Sequence, residues 1–154
     1  MSLPFGLIFS IILIIVFIVA AFIAVKSFLD VGECSSVGFF YRDFEKQVND
    51  VWRGSGADVP FKIDLPSGIT KVCFANMSAR ITNLVDAGEI RNFNPESNVF
   101  LLPVAASCDM HQKIIENLDI TRITSSRNPY CISSKSELRI KKEIYDRLVF
   151  IEVK

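Results

Sequence analysis

The sequence predicts an α+β protein: a long N-terminal helix, apolar first and amphipathic after, packed on an antiparallel β-sheet domain. Three observations point there. No charged side chain precedes Lys26, and residues 7–25 are almost pure hydrocarbon. Apolar residues then recur at helical spacing as far as Trp52. Beyond Pro60 the period shortens to two. The expected division is an anchor over residues 1–25 and a domain over residues 26–154, with an amphipathic helix at 26–54 and mainly strand over 59–154.

The first run is long enough to cross a bilayer once as a helix, for which about 20 apolar residues suffice. Two other readings compete with a span. A cleaved secretory signal carries a basic leading region and a shorter apolar core. Here no Lys or Arg precedes the run, although Val19-Ala20-Ala21 resembles a cleavage site. A core helix of a soluble protein would need apolar cover on every side, which a chain this short does not supply. The reading taken is a membrane span or the packed interior of a helical assembly. Its partners are then membrane lipid and, through residues 4–25, copies of itself or partner transmembrane helices. Ala20 and Ala24 form a small-xxx-small pair that lets helices approach closely. Lys26, just after the span, favours a cytoplasmic domain by the positive-inside tendency. Asp30 and Glu33 follow it closely, and the cysteines favour the opposite side.

In the second stretch, Cys34, Val37, Tyr41, Phe44, Val48 and Trp52 fall within an arc of roughly 80° on a helical wheel. Charged and polar residues from Arg42 to Arg53 occupy much of the rest. Tyr41, Phe44, Val48 and Trp52 are therefore the expected packing residues of this helix. Gly54-Ser55-Gly56 supplies its stop, because glycine accepts the left-handed conformation there. Gly32 and the Ser35-Ser36 pair are tolerated inside a helix at modest cost, so a continuous or gently bent helix is expected.

Alternation at Phe61, Ile63 and Leu65, then at Thr70, Val72 and Phe74, flanks the turn signal Pro66-Ser67-Gly68 and predicts a hairpin. Residues 78–88 read as a short helix presenting Ile81, Leu84 and Val85, closed by Gly88. Residues 98–104 read as a strand, 113–120 as another and 130–132 as a short one. Residues 137–141 and 147–153 form the closing pair, with Leu138 and Ile140 on the buried face and Arg139 and Lys141 on the wet one. One antiparallel sheet, packed on the stripe of the helix, accounts for all of these.

Cys34, Cys73, Cys108 and Cys131 all lie beyond the apolar run, and none forms a C-x-x-C pair. An even number at wide spacing, beside a single anchor, indicates two disulfides in an oxidising compartment, and hence an extracytoplasmic or cell-surface domain. Three connectivities exist; the pairing favoured here is Cys34–Cys73 with Cys108–Cys131. Four reduced, buried cysteines in a cytoplasmic domain are the bland alternative. A zinc site is the sharper one, and only Cys108 and His111 have close ligand spacing. His111 otherwise reads as an ordinary polar residue. Asn76-Met77-Ser78 matches the N-glycosylation acceptor pattern directly after an expected strand.

No nucleophile elbow, metalloprotease helix, phosphate-binding glycine loop or dinucleotide fingerprint is present. The expectation is a protein without catalytic residues, cofactor or metal. Net charge is zero with no basic block, which leaves nucleic acid without an electrostatic footprint.

An apolar helix, its amphipathic continuation and a cysteine-closed sheet domain together resemble the type IV pilin family. The chain is also similar to small single-anchor membrane proteins of archaea, through Val72-Cys73-Phe74 and Asn128-Pro129-Tyr130-Cys131. The pilin resemblance implies a filament whose core is bundled apolar helices and whose coat is the sheet domains. Gly6 stands where a pilin leader ends, but no basic residue precedes it, and Ile11 occupies the position of the bacterial glutamate. The function expected is a non-enzymatic cell-surface structural protein, a pilin-like filament or adhesion subunit. The alternative is a single-pass accessory subunit or binding module of a membrane complex.

Overall fold

A computed structural model of the chain describes residues 5–90 and 92–153, apart from the side chains of residues 5, 30 and 31. Residues 1–4 of the expected anchor lie outside the described residues. Helix α1 runs Phe5–Arg53, through Gly32 and the serine pair. Their helix penalties, about 1 kcal/mol at most each, are small beside the propensity of the long apolar and amphipathic runs around them. The chain divides into two units, Met1–Ser35 and Ser36–Lys154.

In the first unit every described side chain over residues 6–29 is exposed. Phe17, Phe22 and Phe28 are 68%, 73% and 79% accessible.

The second unit begins with the C-terminal part of α1 and continues through β1 (Ala57–Lys62), β2 (Lys71–Phe74), α2 (Leu84–Ile90) and β3 (Val99–Leu102). Then come β4 (Gln112–Lys113), α3 (Ile120–Ile123), β5 (Tyr130–Ser133), β6 (Glu137–Lys142) and β7 (Phe150–Val153). The strands form two antiparallel sheets, not the single sheet expected: β1-β6-β7 and β4-β3-β2-β5.

The stripe of α1 is the common floor of both sheets. Val37, Phe40, Tyr41, Phe44, Val48 and Val51 share one cluster with Phe61, Leu138, Ile140 and Ile151 of the three-stranded sheet. The same cluster takes in Val72, Phe74, Val99, Leu101 and Ile132 of the four-stranded sheet. Phe44 is fully buried, with its ring centroid 5.9 Å from Phe40, 5.3 Å from Phe61 and 6.0 Å from Phe74. The four-stranded sheet is covered on its other face as well. There Cys73, Phe100 and Leu102 pack with Ile90 of α2 and with Phe93. Strands covered twice read as continuous apolar runs, as Val99–Leu102 does.

Several expectations change for identifiable reasons. The hairpin across Pro66 does not form: the turn is made, with Ile69 N–H donating to Pro66 O, but β1 pairs with β6 and β2 with β3 and β5. Ile63 and Ile69, inside the connection, are themselves buried, so the chain crosses from one sheet to the other. Helix α2 buries Asp86, Ala87 and Ile90 and exposes Leu84 and Val85, the reverse of the expected face, and Gly88 lies within it. Of residues 113–120 only Lys113 is strand, as the last residue of β4; Ile115 and Leu118 reach the core from irregular backbone. Trp52 marks the rim of the stripe, 39% exposed, where its indole N–H donates to Arg147 O at 3.1 Å. The residue that needs glycine after the helix is Gly56, with φ +148°.

Truncating Phe44 to alanine is expected to destabilise the full chain by about 3–5 kcal/mol. Chemical unfolding in detergent micelles, followed by the fluorescence of the single Trp52, measures it.

Candidate membrane and interaction surfaces

Among the described residues, one helix is long and apolar enough to cross a membrane. Its single early hydroxyl is satisfied within the helix: Ser10 donates to Gly6 O at 2.9 Å, the arrangement that suits a polar group with no water around it. Ala20 and Ala24 are exposed on this segment.

In the second unit Tyr41, Phe44 and Val48 are core residues. Burial without a hydrogen-bond partner for its hydroxyl drives the Tyr41 pKa far up. Polar contacts fix the rest of this helix face: Lys113 Nζ lies 2.6 Å from Glu45 and Asn117 Nδ2 donates to Asn49 at 2.9 Å. Lys142 Nζ donates to the carbonyls of Trp52 and Gly54, a cation on the last turn of α1.

The cysteines are all oxidised. Cys73 bonds to Cys131 directly across the β2–β5 pair, with 4.0 Å between Cα atoms. This corrects the favoured pairing: Cys73 is not joined to Cys34, nor Cys131 to Cys108. The hairpin assumed for β2 misplaced Cys73; in the fold its neighbour is β5, a strand 58 residues later. Cys34 and Cys108 are disulfide-bonded too, which removes the Cys108 thiolate from any zinc site. His111 packs against Phe93, the rings tilted by 42° with 4.5 Å between centroids. No group of three or more His, Cys, Asp or Glu able to hold a metal occurs among the described residues.

A recess of about 490 Å³ lies where both inter-sheet crossings run, between residues 63–69 and the turn 134–136. Ile63, Leu65 and Ile69 line it, with Lys62, Asp64, Lys135 and Glu137 around them. Ser67, Ser134 and Ser136 also line it, with no histidine or cysteine among the lining residues. Neighbouring carboxylates of the second unit are engaged in ion pairs: Glu143 and Asp146 with Arg122 at 3.4 and 2.9 Å, and Glu45 with Lys113.

Two polar centres escaped the sequence reading. Asp86, 5% exposed, accepts from Lys71 Nζ and from Asn83 Nδ2, both at 2.6 Å, with Arg127 at 3.5 Å. Burial alone would raise its pKa; the bonds from Lys71 and Asn83, with the nearby positive charges, win and hold it below the ordinary value. Asn128, 3% exposed, bonds to Asn76, Arg80, Thr82 and Asn83. Nothing in periodicity marks such residues, although Asn128-Pro129 carries a turn signal.

The chain matches no family model, no curated protein and no solved structure.

The folded Asp86 carboxyl protonates below 3.8, so as pH falls the unfolded chain takes up its proton first. The stabilisation is whole above about pH 5 and fades as pH drops through the folded value. Asp86→Asn is expected to flatten this acid limb in unfolding curves at pH 3–6. Lys71→Met is expected to cost about 1–3 kcal/mol at neutral pH.

Proposed function

We propose that this is a non-enzymatic structural protein of the cell surface, pilin-like in build and held or assembled through its apolar helix, with its second unit on the extracytoplasmic side. The observation that carries the reading is the exposed apolar surface of α1 over residues 6–25. Each such Leu, Ile, Val or Phe gains about 1.5–3 kcal/mol on leaving water, so lipid or neighbouring helices must cover them. Two disulfides support an oxidising surrounding.

A second reading, a single-pass accessory subunit or binding module, is favoured by apolar side chains standing out from the domain. Ile144 and Tyr145 at the β6–β7 turn are 74% and 95% exposed, a natural seat for a partner.

The wild-type chain should stay with membranes through alkaline carbonate extraction. Val16→Arg, a charge at mid-run costing about 2.5–3.5 kcal/mol on insertion scales, should release a measurable fraction. Filaments in electron micrographs of native material favour assembly, while co-purification with a fixed set of membrane proteins favours the second reading. Recovery of the wild-type chain as a soluble monomer with free thiols overturns both.

A further inference from the structure

The chain contains one N-x-S/T acceptor sequence, Asn76-Met77-Ser78, and the fold gives it a specific setting. It occupies the turn leaving β2, closed by Ala79 N–H donating to Asn76 O at 3.2 Å. Within it Asn76 Oδ1 accepts from Ser78 N–H at 3.1 Å. Among the described residues Asn76 Nδ2 donates no hydrogen bond, and Ser78 is exposed. The nucleophilic amide nitrogen and the hydroxyl that an acceptor needs are thus both uncommitted.

The backbone around that amide is held by one residue. Asn128 Oδ1 accepts from Asn76 N–H at 3.0 Å, and Asn128 Nδ2 donates to Asn76 O at 2.8 Å. Cys73 lies opposite Cys131 and Phe74 opposite Tyr130. Continued by two residues, the same register sets Asn76 opposite Asn128. The clamp is therefore the next rung of the ladder that the Cys73–Cys131 bond locks. A transferase has to take the acceptor backbone into its own groove, which this clamp opposes once β5 is in place.

We propose that Asn76 is an N-glycan acceptor, modified before the segment around Asn128 and β5 zips onto β2. The donor class is a saccharide carried on a polyprenyl phosphate or diphosphate. The Asn76 Nδ2–C1 bond forms as the C1–O bond to phosphate breaks. The released phosphate keeps the electron pair, and the amide gives up one proton to a base of the transferase. No oxidant or reductant is needed. The inference rests on the extracytoplasmic placement of the second unit, since such donors are used on that side.

Translating the full-length chain with microsomal vesicles that contain an oligosaccharyl transferase tests both. The expected result is a protease-protected domain bearing an amidase-sensitive mass increment. Ser78→Ala should lose the increment, because it removes the hydroxyl while leaving the Ser78 N–H bond to Asn76. A protected domain without the increment overturns the acceptor assignment alone. A domain digested from outside the vesicles overturns the placement and the acceptor with it. Cys131→Ser, which delays zipping, should raise occupancy above wild type, whereas Cys108→Ser should not. Equal occupancy in all three, or an equal rise in both variants, overturns the order of events.

Discussion

Helix α1 has to satisfy two surroundings with one backbone. Over residues 6–25 its side chains are apolar on every side save for Ser10, and the fold covers none of them. From Val37 onward the same helix offers one apolar stripe and one charged face. That stripe is what the domain is built on: both sheets send their inward residues to it, and Phe44 touches aromatic rings from each sheet. Each sheet carries an apolar face that has to be buried against another layer. Their common burial on the helix makes them one domain.

Polar residues then fix what the apolar contacts leave free. Hydrophobic contact is non-directional, so the stripe alone would tolerate a slid or rotated helix. Lys113 with Glu45, Asn117 with Asn49, and Lys142 on the terminal carbonyls set its position. On the far side of the four-stranded sheet, Asp86 and Asn128 hold α2 and the loop before it. Each is nearly or wholly withdrawn from water and each is well bonded, which is the condition for a buried polar group to specify structure.

The legible parts of this fold were those with a strong period. The apolar run, the stripe at Tyr41, Phe44 and Val48, the closing pair of strands with Leu138 and Ile140 inward, and the oxidised state of the cysteines all follow from local pattern. Partner choice between strands does not. Pro66-Ser67-Gly68 makes its turn either way, but the buried Ile63 and Ile69 carry the chain across to a second sheet. The cysteine pairing assumed from a hairpin failed with it. Helix α2 misled for a related reason: Ile81, Leu84 and Val85 are the more apolar set, yet the salt-bridged Asp86 faces inward beside Ala87 and Ile90. A charge that finds its partner inside is invisible to an apolar count. The long helix and the antiparallel strands make the chain α+β, and the second sheet and the α2 layer lie outside what the pilin resemblance implied.

The strand order has a consequence for biosynthesis. β1, next to the helix in sequence, pairs only with β6, so that Ala57 meets Lys142. The whole four-stranded sheet is spelled out between those two partners. A ribosome therefore delivers the helix and its first strand long before the strand that pairs with it, and closure of the three-stranded sheet waits for the final segment. An unfinished polypeptide would leave Phe61 and half of the α1 stripe bare. Truncation anywhere before β6 would thus uncover oily surface that the finished chain hides.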